Sequence, residues 1–296
     1  VYSKAFKIVV LPFIYALSYL PFSVLYFFSW ILYLLAYHVL QYRKSVVKQN
    51  LKNAFPDKDD ATRLNIEKEF YRHFCDVIFE TIKLLTLSPE AFKKRCRMDE
   101  SAINLFGGYA EKKQSIIGVM GHMGNWEWAA ISHQLYFNRM VTGVYHPLSN
   151  KNFDHLMFTL RSRFGGDLVS MKNLYRRLLT LEQQHTDTTV GLIADQTPPP
   201  ESAYWTTFLA QDTPIFNGTE KLAKKFNYPV VYMSIHKVKR GFYQLGAELI
   251  SDYPQQMADG DISVKHTKIL EKNIHEQPAY WLWSHRRWKH KKPAIN

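Results

Sequence analysis

The sequence predicts an α/β fold, a mixed central sheet flanked by helices, with a hydrophobic membrane helix ahead of it. Three observations lead there. From about residue 105 onward, short apolar runs alternate with helix-period segments, the pattern of a sheet whose faces are covered by helices. The chain opens on a long apolar stretch with almost no charge. Over 296 residues, 46% are hydrophobic and 22% charged, a balance that supports a packed core and argues against disorder.

Residues 6–40 carry a single charge, Lys7. As one helix they would run roughly 50 Å, against a hydrocarbon core of about 30 Å. Pro12 and Pro21 interrupt them, so the expectation is an interfacial or partly inserted first piece and then a hydrophobic helix over residues 22–40. Arg43, Lys44, Lys48 and Lys52 follow, and Lys4 and Lys7 precede. The positive-inside rule favours the cytosolic side for the rest of the chain. A cleaved signal peptide is the competing reading. Its one small-x-small site inside the run, Ala16-Leu17-Ser18, leads into roughly twenty more apolar residues rather than a polar start. The expected division is a membrane anchor, residues 1–42, and a large domain, residues 43–296.

Residues 59–86 read as an amphipathic helix. Ile66, Phe70, Phe74, Ile78, Ile82 and Leu85 recur at helical spacing, and Asp59 or Asp60 stands where a cap is needed. Cys75 within it reads as packing. Residues 115–120, 141–145, 189–194, 230–235 and 242–249 read as strands; residues 126–137, 152–164, 173–184, 218–226 and 261–275 read as helices. With 38 basic and 26 acidic residues the net charge is +12. That favours an anionic partner: nucleic acid, anionic lipid, an acidic carrier protein or a phosphorylated glycan. The two cysteines, Cys75 and Cys96, form no disulfide framework or zinc spacing and fit a reducing compartment. With no P-loop, dinucleotide fingerprint or zinc pattern in the sequence, neither metal nor cofactor is expected.

Chemistry concentrates in Gly121-His122-Met123-Gly124-Asn125-Trp126-Glu127, between an expected strand and an expected helix. Active sites of α/β sheets collect at the carboxyl ends of strands. Five residues at about 100° each put His122 and Glu127 on different sides of one continuous helix. They meet only if His122 lies on the loop and Glu127 faces back from the first turn. A neutral imidazole takes a proton from an alcohol, and a carboxylate on its other nitrogen fixes the tautomer. The spacing alone leaves a second reading open, a loop histidine beside an ordinary first-turn glutamate.

In the form GHMGNWEW, this segment resembles the His-x4-Glu signature of the lysophospholipid acyltransferase superfamily, and specifically that of the bacterial lipid A biosynthesis (late) acyltransferases. Val144-Tyr145-His146-Pro147-Leu148 resembles their V-Y-R-P segment, and residues 160–172, LRSRFGGDLVSMK, their L-R-x-R-x-G stretch. Ala194-Asp195-Gln196 resembles their A-D-Q, and Pro214-Ile215-Phe216-Asn217-Gly218 their P-T-x-x-G block. Trp283-Ser284-His285-Arg286-Arg287-Trp288-Lys289 resembles the terminal W-x-H-R-R-W/F-K. The N-terminal stretch followed by YRKSVVKQNLKNAFP is also family-like, so the resemblance covers nearly the whole chain. His146 departs from it, standing where most members have arginine.

The resemblance implies a glycerolipid acyltransferase-like fold and a reaction. A hydroxyl of a lipid A precursor attacks the thioester of an acyl carrier protein, or acyl-CoA, at the cytoplasmic side of a bacterial inner membrane. His122 would be the base and Glu127 its orienting carboxylate. Arg163, Arg161 or a backbone N–H of the loop ending at Asn125 would hold the oxyanion. His146 would occupy the altered cation position. Asp195, with Gln196 closing a strand, would pair with Arg161 or Arg163; the plainer reading is a strand-end turn. Arg286, Arg287, Lys289, Lys291 and Lys292, interleaved with Trp281, Trp283 and Trp288, suit an anionic membrane interface or sugar phosphates. No nucleic-acid motif accompanies them, so nucleic acid is not an expected partner. Another membrane lipid as acceptor, a hydrolase, and an inactive lipid-binding protein are the alternatives.

Overall fold

The apolar runs expected as strands pair into one seven-stranded mixed sheet in a computed structural model that describes residues 2–292. Val1 and residues 293–296, the outer limits of the expected anchor and domain, lie outside the described residues.

The elements follow in chain order. The N-terminal helix Phe6–Tyr19 includes α1 (Leu11–Tyr19), and α2 is Phe22–Leu34, extended by a wider turn over Leu35–Val39. Next come α3 (Lys44–Ala54), α4 (Asp60–Lys83), α5 (Pro89–Arg95), β1 (Cys96–Met98) and α6 (Glu100–Glu111). The central part is β2 (Ile116–Met120), α7 (Trp126–Phe137), β3 (Val141–Tyr145), α8 (Lys151–Ser162), β4 (Asp167–Ser170), α9 (Leu174–Gln183) and β5 (Thr189–Ile193). A hairpin, β6 (Tyr204–Phe208) and β7 (Gln211–Ile215), precedes α10 (Gly218–Phe226), β8 (Val230–Lys239), β9 (Phe242–Ser251) and α11 (Asp261–Glu276).

The sheet order is β1-β9-β8-β2-β5-β3-β4. The strands from β8 to β4 run parallel, while β9 is antiparallel to β8 and β1 parallel to β9. Parallel strands need helical crossovers, and α6, α7, α10 and α11 pack against the sheet. β2 lies in the middle with both faces covered: Ile116, Ile117 and Val119 are fully buried. Such a strand reads as a continuous apolar run rather than an alternation.

The expected break falls at Leu20-Pro21, where Leu20 turns extended and Pro21 starts α2. Asp59, one of the two expected caps, accepts from the Thr62 amide at 2.7 Å at the start of α4. Cys75 and Cys96 are free and buried.

Phe22–Val39 is the one helix long and apolar enough to cross a membrane among the described residues, and only 28% of it is buried. Its two faces differ. Leu25, Ser29, Tyr33, Ala36 and Tyr37 are buried, whereas Phe27, Phe28, Trp30, Leu35 and Val39 are exposed. The buried face rests on α4, where Ser29 Oγ donates to Asp76 at 2.6 Å and Tyr26 Oη to Glu80 at 2.9 Å.

Candidate active site

The register of two neighbouring strands builds the site. Met120 of β2 pairs with Ile193 of β5 in parallel. Two residues beyond each, at the carboxyl ends, stand His122 and Asp195. His122 Nδ1 lies 2.5 Å from Asp195 Oδ1, and the His122 amide donates to Asp195 Oδ2 at 2.7 Å. Trp281 Nε1 donates to the same Oδ2 at 2.8 Å. Burial alone would raise the Asp195 pKa. The His122 imidazole and the hydrogen bonds from His122 and Trp281 outweigh it and hold the carboxyl well below its usual range. An ionised Asp195 accepts from Nδ1–H, which leaves Nε2 as the imidazole's free acceptor. The ring is otherwise held edge-to-face by Trp126, with centroids 5.3 Å apart.

The loop uses glycine twice, once for a close approach and once for its backbone conformation. A Cβ on Gly121 would come within 2.6 Å of Leu270, and Gly124 sits at φ +51° with Ile235 2.7 Å from where its Cβ would be. Hydrogen bonds fix the rest. The Met123 amide donates to the Gly121 carbonyl at 2.8 Å and the Gly124 amide to the Tyr280 carbonyl at 2.9 Å. Asn125 caps α7 by accepting from the Trp128 amide at 3.0 Å, and its own amide donates to Glu80 at 2.7 Å. Glu80 also accepts from Tyr26 and Tyr243, and burial pushes its pKa up.

Several expected contacts are replaced by others. Glu127 is not the carboxylate on His122. It forms a bidentate pair with Arg161, at 2.8 Å from Nε and 2.7 Å from Nη2, and accepts from Trp126 Nε1 at 3.2 Å. Because Asn125 is the cap, Glu127 lies one step inside α7, where it meets α8. Asp195 therefore pairs with neither Arg161 nor Arg163. Arg163 donates through Nη1 to the Leu84 carbonyl and, at 2.7 Å, to the Leu87 carbonyl, satisfying backbone oxygens just past the end of α4. His146 is exposed on the loop after β3, with Nδ1 3.0 Å from the Pro147 carbonyl. Gln196 follows Asp195, half-buried, with no hydrogen bond among the described residues.

The loop amides are also mostly occupied. Those of residues 122–124 have acceptors, whereas those of Asn125, Trp126 and Glu127 have none among the described residues. They are the orphan donors that open a helix.

The basic tail is not all surface. Arg287 is 1% exposed and Trp281 and Trp283 are buried, which corrects their placement at an interface. Trp288 donates to Thr213 at 2.7 Å. Arg286 and Lys289 are exposed. Arg287 lines a small cavity with Asp195, Tyr232 and His266. Burial pushes its pKa down to about 10, opposed by Asp195. It supplies buried positive charge next to the buried carboxylate. The sequence assigns neither Trp281 nor Arg287 to the site; the W-x-H-R-R-W segment, which contains Arg287 and begins two residues after Trp281, is the signal nearest to them.

The model of the bacterial lipid A biosynthesis acyltransferase family matches residues 2–290. The chain belongs to that family. Comparison with curated proteins gave no match. In this acyltransferase, then, the family's recurrent segments converge in space: the His122 loop, the Asp195 strand end and the Trp281–Arg287 stretch form one cluster.

Proposed function

We propose that this acyltransferase moves a fatty acyl group from an acyl-carrier thioester to a hydroxyl of a lipid A precursor, on the cytoplasmic side of a bacterial inner membrane. The observation that carries the mechanism is His122, held through Nδ1 by the buried Asp195 with Nε2 free. Nε2 takes the proton of the acceptor hydroxyl as its oxygen attacks the thioester carbonyl. The tetrahedral oxyanion is met by the unpaired amides at the start of α7 and by Arg161, whose Nη1 is not used by Glu127. Collapse expels the carrier thiolate, which recovers the proton from His122. A thioester is already activated, so positioning and a base suffice without a covalent enzyme intermediate.

The one-sided exposure of α2 supports insertion into the membrane surface. Asp76, bound to Ser29 in the middle of α2, also pairs with Arg240 at 2.6 Å. Such a charge pair beside the helix midpoint fits an interfacial helix better than one surrounded by lipid. The test of the function is the mass spectrum of lipid A from cells with and without the gene. Loss of one acyl chain supports the reading; unchanged lipid A with altered phospholipid acylation overturns it.

A further inference from the structure

An open cavity of about 370 Å³ lies between α2, α4 and the turn joining β8 to β9. Four cations line it, Arg72, Lys237, Lys239 and Arg240, against two carboxylates, Glu69 and Asp76. Asp76 is fully engaged. It accepts from Ser29 and, at 2.9 and 2.6 Å, from Nε and Nη2 of Arg240. Of the lining carboxylates only Glu69 is left unengaged; Asp76 and Glu80 attract Lys237 only at longer range, and none of Arg72, Lys237 and Lys239 forms an ion pair among the described residues.

Lys237 is the telling one. Its ammonium sits 4.6 Å from the Tyr280 ring centroid and 3.2 Å from His73 Nδ1. His73 is buried, and its Nε2 lies 3.0 Å from the Gly124 carbonyl. A carbonyl only accepts, so Nε2 carries the proton and Nδ1 accepts from Lys237. The histidine offers a lone pair and no negative charge. Burial lowers the Lys237 pKa. A partly desolvated ammonium with no carboxylate at ion-pair distance among the described residues, opening into a cavity with two more such cations, is a site for an anion.

The position of the cavity indicates which anion. Trp30 of α2 lines it and is half-exposed, stacked beside the exposed Phe27 at 6.3 Å. The opening thus borders the apolar face of α2. A ligand with an anionic head and acyl tails satisfies both surfaces at once. We propose that this cavity binds the phosphate of an anionic lipid headgroup through Lys237, Lys239 and Arg72. His73 then leaves the bound headgroup one side chain away from the His122 loop. The inference rests on the reading of α2 as an interfacial helix.

The test uses the full chain in nonionic micelles doped with phosphatidylglycerol or with phosphatidylcholine. A ligand that binds only the folded state raises Tm in a saturable way, by about 5 °C for a chain of this size. Phosphatidylglycerol is expected to do so, and phosphatidylcholine and inorganic phosphate at equal ionic strength are not. The rise should vanish in Lys237→Gln with Lys239→Gln. It should vanish as well in Arg72→Gln with Lys239→Gln, whose side chains are both exposed and whose loss leaves the fold intact. Lys112→Gln with Lys221→Gln, equal in charge change and on exposed positions away from the cavity, should keep it. The site is refuted if the cavity variants respond like wild type or if the control pair loses the response equally. If inorganic phosphate alone gives the whole shift, the headgroup assignment is wrong. Flotation on neutral vesicles tests α2 separately: the cavity variants should float like wild type, and failure of all to float removes the membrane reading while the micelle result still decides the cavity.

Discussion

Asp195 holds His122 at two points: one carboxylate oxygen faces the imidazole Nδ1 at 2.5 Å and the other accepts the His122 amide at 2.7 Å. The second contact ties the loop backbone to the next strand, so ring and loop are positioned by one residue. Trp281 supplies the remaining donor. Trp281→Phe keeps the ring and removes that donor, which is worth on the order of 1 kcal/mol, or about fivefold. Turnover with saturating acyl donor should fall by about that factor with the fold unchanged by circular dichroism. Wild-type turnover would show that the indole does not support Asp195.

The three candidate cations should separate. Arg161→Ala strips the partner from the nearly buried Glu127 and removes the proposed oxyanion donor, a loss on the order of 10² or more in turnover. Arg163→Ala should lower Tm through the freed carbonyls of Leu84 and Leu87 while turnover stays within about twofold. His146→Ala should change turnover as little. A dead Arg163 or His146 variant beside an active Arg161→Ala would reverse the assignment.

Stability should fall in mild acid. His133 and His266 are buried with Nε2 unpartnered, and burial pushes their pKa values down to about 3 and about 4. In the unfolded chain both titrate near 6.5. Their folded values are depressed, so below about pH 6.5 the unfolded chain binds more protons. Stability is then full above that pH and is lost as pH falls toward 4 and 3, by up to about 1.4 kcal/mol per pH unit for each histidine. Urea midpoints measured from about pH 7.5 down to about pH 5 should be level at first and then decline. Burial raises the Glu67 and Glu80 pKa values and works the other way, so the deciding comparison is His133→Gln with His266→Gln: a double variant whose midpoint falls with pH as steeply as that of wild type contradicts the buried neutral histidines.

Membrane attachment should depend on one face of α2. Phe27→Asp with Leu35→Asp places charge on exposed positions and leaves Tyr26–Glu80 and Ser29–Asp76 in place. Vesicle flotation should drop sharply while Tm changes little. Deleting residues 1–42 is a harsher test, because it uncovers Asp76 and Glu80 on α4; that variant should lose stability as well as attachment. Undiminished flotation of the double variant would remove α2 from the interface.

Much of the fold was legible because its central elements announce themselves locally. β3, α7 and α10 occupy the residues expected for them. β1 and β4 are edge strands of three and four residues, too short to show a period. The β6–β7 hairpin turns on Leu209 and Ala210, both at positive φ, where Asn-Gly or Asp-Gly would have signalled it. Pro214 inside β7 argued further against a strand. At the site, His122 was legible from its loop. Its carboxylate was not, because Asp195 reaches it through the pairing of β2 with β5, a relationship that spacing within one segment does not contain. Glu127, five residues further along the same segment, turns instead to Arg161 on α8.

The most direct test compares Asp195→Asn with Glu127→Gln, measuring single-turnover acyl transfer from the carrier thioester to the lipid A precursor. Asparagine leaves His122 without its anion and permits the wrong tautomer, a loss of about 10³–10⁴. Glutamine at position 127 weakens the pair with Arg161 and the contact from Trp126 but leaves Asp195 on His122, and should cost about tenfold. A near-normal Asp195→Asn beside an inactive Glu127→Gln would contradict the account and return Glu127 to the role of His122's partner.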